Sequence, residues 1–173
     1  MTDFIHHEFL VKDPDKTATI SHNGPAQKPA MPGGGVLYII GLPGSGKTTV
    51  AAHLAQALGY AAHLLPLEGA DEALSAILAQ APAVVEVPHK LLTSEALRQR
   101  LSQTGRVLYL MAGVEAIAAR QAQTPEEEAL LRERLGRQRT AYEPWFMQML
   151  HLLAPADGPL DQVLADAVER VRM

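Results

Sequence analysis

The sequence predicts an α/β fold, a three-layer α/β/α domain built on a central parallel sheet of five strands. Three observations predict it. From residue 36 onward, short apolar runs alternate with helical patterns, which implies parallel strands joined by crossover helices. The first run, Val36-Leu37-Tyr38-Ile39-Ile40, is apolar throughout, as a strand buried on both faces must be. It passes through the glycine-rich stretch Gly41-Leu42-Pro43-Gly44-Ser45-Gly46 directly into an Ala/Leu-rich helix.

The remaining elements follow in order. Lys47–Leu58 reads as a helix closed by Gly59, the residue type that ends a helix in the left-handed conformation. Ala61–Leu65 is a second strand, and Asp71–Gln80 a helix with Leu74, Ile77 and Leu78 on one face. Ala83–Val87 is a third strand, followed by a helix over Ser94–Leu101. Val107–Met111 is the fourth strand and Val114–Gln121 the next helix. Pro125-Glu126-Glu127-Glu128 opens a long helix expected to bend at Pro144, with Trp145, Phe146 and Met149 in the core. His151–Ala154 is the last strand. The final helix buries the stripe Leu160, Val163, Leu164, Ala167, Val168 and Val171. This places the domain at residues 36–173.

Residues 1–35 have a different character. Pro14, Pro25, Pro29 and Pro32 lie here, and the stretch ends in Pro32-Gly33-Gly34-Gly35, which reads as a flexible connector. Apolar Phe4, Ile5, Phe9, Leu10 and Val11 argue against simple polar filler. Glu8–Lys12 and Thr17–Ser21 can pair as a hairpin around Asp13-Pro14-Asp15. The extension is expected to be a tail resting on the domain or a segment that contacts a protein partner or a second subunit.

Composition removes several functions. The 173 residues contain no cysteine, which excludes disulfides, zinc–cysteine sites and thiol catalysis. Fifteen basic against nineteen acidic residues give a net charge of -4, with no general footprint for nucleic acid or an anionic membrane. No apolar stretch approaches the ~20 residues of a spanning helix. The start, MTDFIHHEFL, lacks a signal peptide's basic and apolar regions, so a cytoplasmic protein is expected. The seven histidines show no ligand spacing, so no transition-metal site is expected.

One motif carries most of the chemistry. Gly41 to Thr48 satisfies G-x-x-x-x-G-K-[ST] at every required position, between a buried strand and a helix. Backbone N–H groups of such a loop turn inward around an anion, and the helix N-terminus adds its positive end. Gly41, Gly44, Ser45, Gly46, Lys47, Thr48 and Thr49 are therefore expected to bind the phosphates of ATP. Lys47 neutralises the terminal phosphates, and Thr48 offers its hydroxyl to Mg²⁺.

The loop followed by Val50-Ala51-Ala52-His53-Leu54-Ala55-Gln56-Ala57-Leu58-Gly59 resembles the opening of shikimate kinase and related small-molecule kinases. The resemblance continues through Val84-Val85-Glu86-Val87 and Leu92-Thr93-Ser94, Val107-Leu108-Tyr109-Leu110, and Arg137–Tyr142, covering about residues 36–172. It implies a nucleoside-monophosphate/shikimate kinase-like architecture, and a role for Arg120 in stacking on adenine. The departures are equally specific. Where the family has an aspartate pair at the end of strand two, this chain has Leu64 and Pro66, with Glu68 and Asp71 the nearest carboxylates. The family's triple glycine becomes Pro88-His89-Lys90, and proline removes a backbone donor. The lid arginine is missing, the lid shortens to about Ala122–Glu128, and the substrate-clamping arginine position holds Gln138 between Arg137 and Arg139. Shikimate is therefore not the expected substrate.

The replacements supply the candidates. Glu68 can act as general base or hold a Mg²⁺-bound water, or it is a solvated loop residue. Glu86, inside strand three, is a substitute acid near the metal or half of a core ion pair. His89 and Lys90 can bind an anionic acceptor, or form an exposed charged turn. Arg137 and Arg139 can serve the substrate or the transferred phosphate. With Arg132 and Arg134 they can equally be surface charges in intrahelical pairs. Two functions remain: an ATP-dependent kinase for a small metabolite, or a catalytically silent relative that binds nucleotide and works through a protein partner. The absence of N-K-x-D argues against a guanine-reading switch.

Overall fold

A computed structural model describes residues 35–173; the expected hairpin of Glu8–Lys12 with Thr17–Ser21 lies outside the described residues. Five parallel strands form the sheet: β1 (Val36–Ile40), β2 (Ala61–Leu64), β3 (Ala83–Glu86), β4 (Arg106–Met111) and β5 (Leu152–Pro155), in the order β2-β3-β1-β4-β5. The helices are α1 (Lys47–Leu58), α2 (Ala70–Ala79), α3 (Glu95–Thr104), α4 (Val114–Gln121), α5 (Pro125–Met149) and α6 (Leu160–Arg172). A short 3-10 helix, His89–Thr93, follows β3. Helices α1 and α6 pack together against the sheet, while α3 and α5 contact each other and β4, giving the three-layer α/β/α arrangement.

The strands form where the apolar runs are. All five residues of β1 are fully buried, because β1 has a strand on each side and helices over both faces. The helix ends follow local chemistry. Ser94 Oγ accepts from Leu97 N–H at 3.2 Å and so caps α3 rather than opening it. Thr124 Oγ1 accepts from Glu127 N–H at 3.2 Å, with Pro125 in the first turn behind it.

Four expectations need correction. Helix α3 runs to Thr104, three residues past Leu101. Helix α5 starts at Pro125 and runs through Pro144, leaving only Ala122–Thr124 where a seven-residue lid was expected. Phe146 and Met149 are buried, but Trp145 is half-buried, with the Arg98 guanidinium 4.7 Å from its ring centre. Leu160 is 56% exposed, because it opens α6 at the sheet edge before the helix turns its stripe inward at Val163.

Candidate functional site

The site lies at the C-terminal ends of the strands, where β1 feeds its loop between β3 and β4. This is the point in an open α/β sheet at which ligands bind, because the crossovers diverge there. Three glycines of the loop from β1 to α1 have positive φ: Gly41 at 155°, Gly44 at 79° and Gly46 at 92°. A Cβ on Gly41 would come within 2.7 Å of the Leu110 carbonyl, so the loop closes tightly on β4. Lys47 and Thr48 begin α1 immediately after Gly46, with the helix N-terminus directed at the loop.

Polar groups inside the loop fit a phosphate ligand. Ser45 is 2% exposed, and its Oγ has no partner among the described residues. A buried hydroxyl without a bond is costly unless something else satisfies it. Lys47 is 7% exposed, and its Nζ donates to the carbonyls of Gly41 at 3.0 Å and Leu42 at 2.8 Å. Burial pushes the Lys47 ammonium down to about 8, partly offset by the negative charge of Glu86. An incoming anion would relieve that desolvation.

Glu86 joins this loop from the neighbouring strand. Thr48 Oγ1 donates to Glu86 Oε1 at 3.1 Å. Glu86 lies in β3 as expected, as its last residue, but it is only half-buried and forms no ion pair among the described residues, so it is not half of a core ion pair. A hydroxyl and a carboxylate side by side are the oxygen donors that suit Mg²⁺, which takes one or two protein ligands and completes its shell with phosphate and water. Thr49 is exposed in the first turn of α1.

A cleft of about 360 Å³ opens beside the loop, lined by Ser45, Gly46, Val50, Arg120, Ala156 and Pro159. Its size lies within the range of about 300–1,000 Å³ typical of small-molecule pockets. Arg120 closes α4 and donates from its guanidinium to the Ala156 carbonyl, tying the helix to the segment after β5. Asp157 Oδ1 reinforces the tie by accepting from Gly113 N–H at 2.6 Å, at the start of α4. Sequence reading missed this second clamp, although Asp157-Gly158-Pro159 is a turn signature next to a helix start. It also missed Gln121, whose amide lies against Gly44.

The other predicted residues are spread more widely. His89 opens the 3-10 helix with its ring edge-on to Tyr142 at 5.0 Å. Burial lowers its pKa, as do the charges of Lys47 and Lys90, which places His89 in reach of the phosphate loop's positive field. Lys90 is exposed and lines a second cavity of about 410 Å³, with Leu67, Asp71, Glu72, Leu91 and Leu97. Glu68 is exposed in the loop after β2, and no hydrogen bond among the described residues reaches it. Arg137 pairs with Glu133 at 2.8 Å and Arg139 with Glu143 at 3.0 Å, both one turn apart along α5. Gln138 is half-buried, and its Oε1 has no partner among the described residues.

Sheet order, phosphate loop and flanking helices define the class: a P-loop protein with the three-layer fold of nucleotide kinases. No family model matches the chain. Over 114 residues it is 33% identical to shikimate kinase 2 of Yersinia pestis (strain Pestoides F), a match spanning 53% of this chain and 65% of that protein. The corresponding enzyme of Yersinia pseudotuberculosis serotype O:3 (strain YPIII) is 32% identical over the same shares. Among solved structures, shikimate kinase from Bacteroides thetaiotaomicron superposes with a TM-score of 0.62 at 16% identity, covering 80% of this chain and 96% of that one. Deoxyadenosine kinase from M. mycoides with bound dATP gives 0.57 at 14% identity, covering 80% and 100%. The chain is similar in sequence to these shikimate kinases over about half its length, spans less than two thirds of theirs, and has the fold of P-loop small-molecule kinases.

Proposed function

We propose that the chain is an ATP-dependent kinase that phosphorylates a small metabolite other than shikimate. The observation that carries this reading is the Thr48–Glu86 hydrogen bond, which sets a carboxylate against the hydroxyl of the phosphate loop. Kinase chemistry needs a metal held at a defined place and charge stabilisation around the moving phosphoryl group. Thr48 and Glu86 would hold Mg²⁺, which would supply positive charge against the phosphates when bound. The loop amides and the unpartnered Ser45 Oγ would bind phosphate oxygens, and Lys47 would face the γ-phosphate. Of the two candidate carboxylates, Glu86 would be the nearer to take a proton from an acceptor hydroxyl at the loop, while Glu68 stands further out.

Base binding is assigned to the cleft between Arg120 and Pro159, and the acceptor to the side of His89 and Lys90, at the ends of β2 and β3. Arg137 and Arg139 can serve the acceptor only by leaving their glutamate partners, since both are held within the helix. Leu64 and Pro66 are exposed at the end of β2, and neither can bind or deprotonate a hydroxyl. That same feature favours the second reading, a nucleotide-binding protein without turnover.

Purified protein assayed for ADP release against a panel of hydroxylated metabolites separates the readings. Acceptor-dependent release that disappears in Lys47→Ala is the expected result. Robust turnover of shikimate would overturn the acceptor assignment. Failure of ATP or ADP at millimolar concentration to raise the melting temperature would overturn nucleotide binding itself.

A further inference from the structure

Helix α4 ends on the phosphate loop. A Cβ on Gly44 would lie 2.8 Å from Ile117 Cγ2, 2.1 Å from Gln121 Nε2 and 2.9 Å from Gln121 Cδ. Ile117 and Gln121 are one helical turn apart, so they share the face of α4 that is laid against Gly44. The two contacts differ in kind. Ile117 is fully buried and fixes the helix against the loop. Gln121 is the last residue of α4 and is exposed, so its amide stands at the rim of the loop, open to a ligand.

The amide is also uncommitted. Arg120 beside it is tied to the Ala156 carbonyl, and the Gln123 N–H donates to Glu127 Oε2 at 2.8 Å. No hydrogen bond among the described residues engages the Gln121 side chain. Only Ala122–Thr124 separate α4 from α5, too short a connection to fold back over it.

The place of Gly44 in the loop says which ligand group the amide would meet. Loops of this pattern set their backbone amides against the α- and β-phosphates, while the lysine reaches the β- and γ-phosphates. Gly44 lies within the amide stretch, three residues before Lys47. A phosphate oxygen is an acceptor, and the Gln121 amide offers two N–H donors without adding charge.

We infer that Gln121 is a phosphate-binding residue, donating from Nε2 to a β-phosphate oxygen of the nucleotide. Resting on the reading of the loop as a nucleotide site, this role gives the polyphosphate a side chain that lies outside the loop motif. The end of α4 then addresses both parts of the ligand, with Arg120 on the cleft side and Gln121 on the phosphate side.

Titration calorimetry of the full-length chain with ADP and with inorganic tripolyphosphate tests this. Gln121→Ala is expected to weaken both ligands by about tenfold, the scale of a hydrogen bond to a charged group. Gln121→Glu, the same shape with acceptors and a negative charge, should weaken them further, and Gln121→Arg should recover the loss. Ligand-free melting temperatures of the three variants are expected to match that of the unaltered chain, because the side chain is exposed. Unchanged tripolyphosphate affinity in Gln121→Ala overturns the assignment. Binding by Gln121→Glu as tight as by Gln121→Ala also overturns it, since a carboxylate beside a phosphate must repel. A loss that Gln121→Arg does not recover assigns the effect to a displaced loop and overturns it as well. Failure of the unaltered chain to bind either ligand overturns the nucleotide site itself, and this role with it.

Discussion

Thr48 Oγ1 and Glu86 Oε1 lie 3.1 Å apart, joining the first turn of α1 to the last residue of β3. The two residues are 38 positions apart in sequence, and they meet because β3 is the immediate neighbour of β1. The pair brings a negative charge to the edge of a loop otherwise built from amide donors and one lysine. Under the proposed function, that position would suit the loop to phosphoryl transfer as well as anion binding.

Glu86→Gln keeps an oxygen acceptor for Thr48 and removes the charge. Turnover is expected to fall by about 10²-fold or more, the scale of a lost acid–base or metal-anchoring group. ADP affinity measured without Mg²⁺ should stay nearly unchanged. Steady-state kinetics and calorimetry check the two halves separately, and an unaltered kcat would remove Glu86 from the catalytic group.

Lys47 is expected to make nucleotide affinity fall at alkaline pH. Its ammonium is held down at about 8 in the folded chain, against about 10.4 in an unfolded one. Between those values the unfolded chain binds more protons, so this group's contribution to stability rises with pH across that window. Phosphate binding runs in the opposite direction, since it needs the charged amine. Affinity for ATP should be level below pH 8 and weaken by up to about tenfold per unit above it. Titration calorimetry across pH 7–10 reads the slope, and Lys47→Ala should abolish it.

Substitution of Arg120 is expected to separate base recognition from phosphate recognition. Loss of a guanidinium over an aromatic base is expected to cost about 0.5–2 kcal/mol, or about 2- to 30-fold in affinity. Arg120→Ala should weaken ADP by that factor and leave inorganic tripolyphosphate unaffected. Equal weakening of both ligands would place Arg120 on the phosphates instead.

Gly44→Ala should damage the loop by two routes. The residue sits at φ 79°, which costs a side chain about 1–2 kcal/mol, and the new methyl would meet Ile117 Cγ2 at 2.8 Å and the Gln121 amide. Gln121 is exposed and can swing away, whereas Ile117 is fully buried. Urea denaturation of Gly44→Ala and of Gly44→Ala with Gln121→Ala should therefore show the same loss within error. Full recovery in the double variant would show that the glutamine contact, and not the backbone, requires glycine.

Much of the architecture was legible locally. Val36–Ile40 and Lys47–Leu58 match the observed β1 and α1 because an apolar run and a helical period bounded by glycine are properties of neighbouring residues. The phosphate loop was legible for the same reason, its anion nest being made by consecutive backbone amides. The intrahelical pairs of Arg137 and Arg139 followed from a spacing of four residues. Boundaries slipped where a cap decides them, as at Ser94.

Tertiary structure alone decided which carboxylate reaches the loop. Glu68 and Glu86 each follow a strand and look equivalent in sequence. The sheet order puts β3 beside β1 and β2 one place further out, so Glu86 reaches Thr48 while Glu68 stands in solvent. The same holds for the cleft wall, where Gly113 and Asp157 meet across 44 residues because β4 and β5 are paired. The exposure of Trp145 and Leu160 was settled in the same way, since a helical stripe shows which residues share a face but not where the covering layer ends. Local periodicity acts over a few residues, whereas these relationships depend on which strands become neighbours, a property of the whole packed sheet.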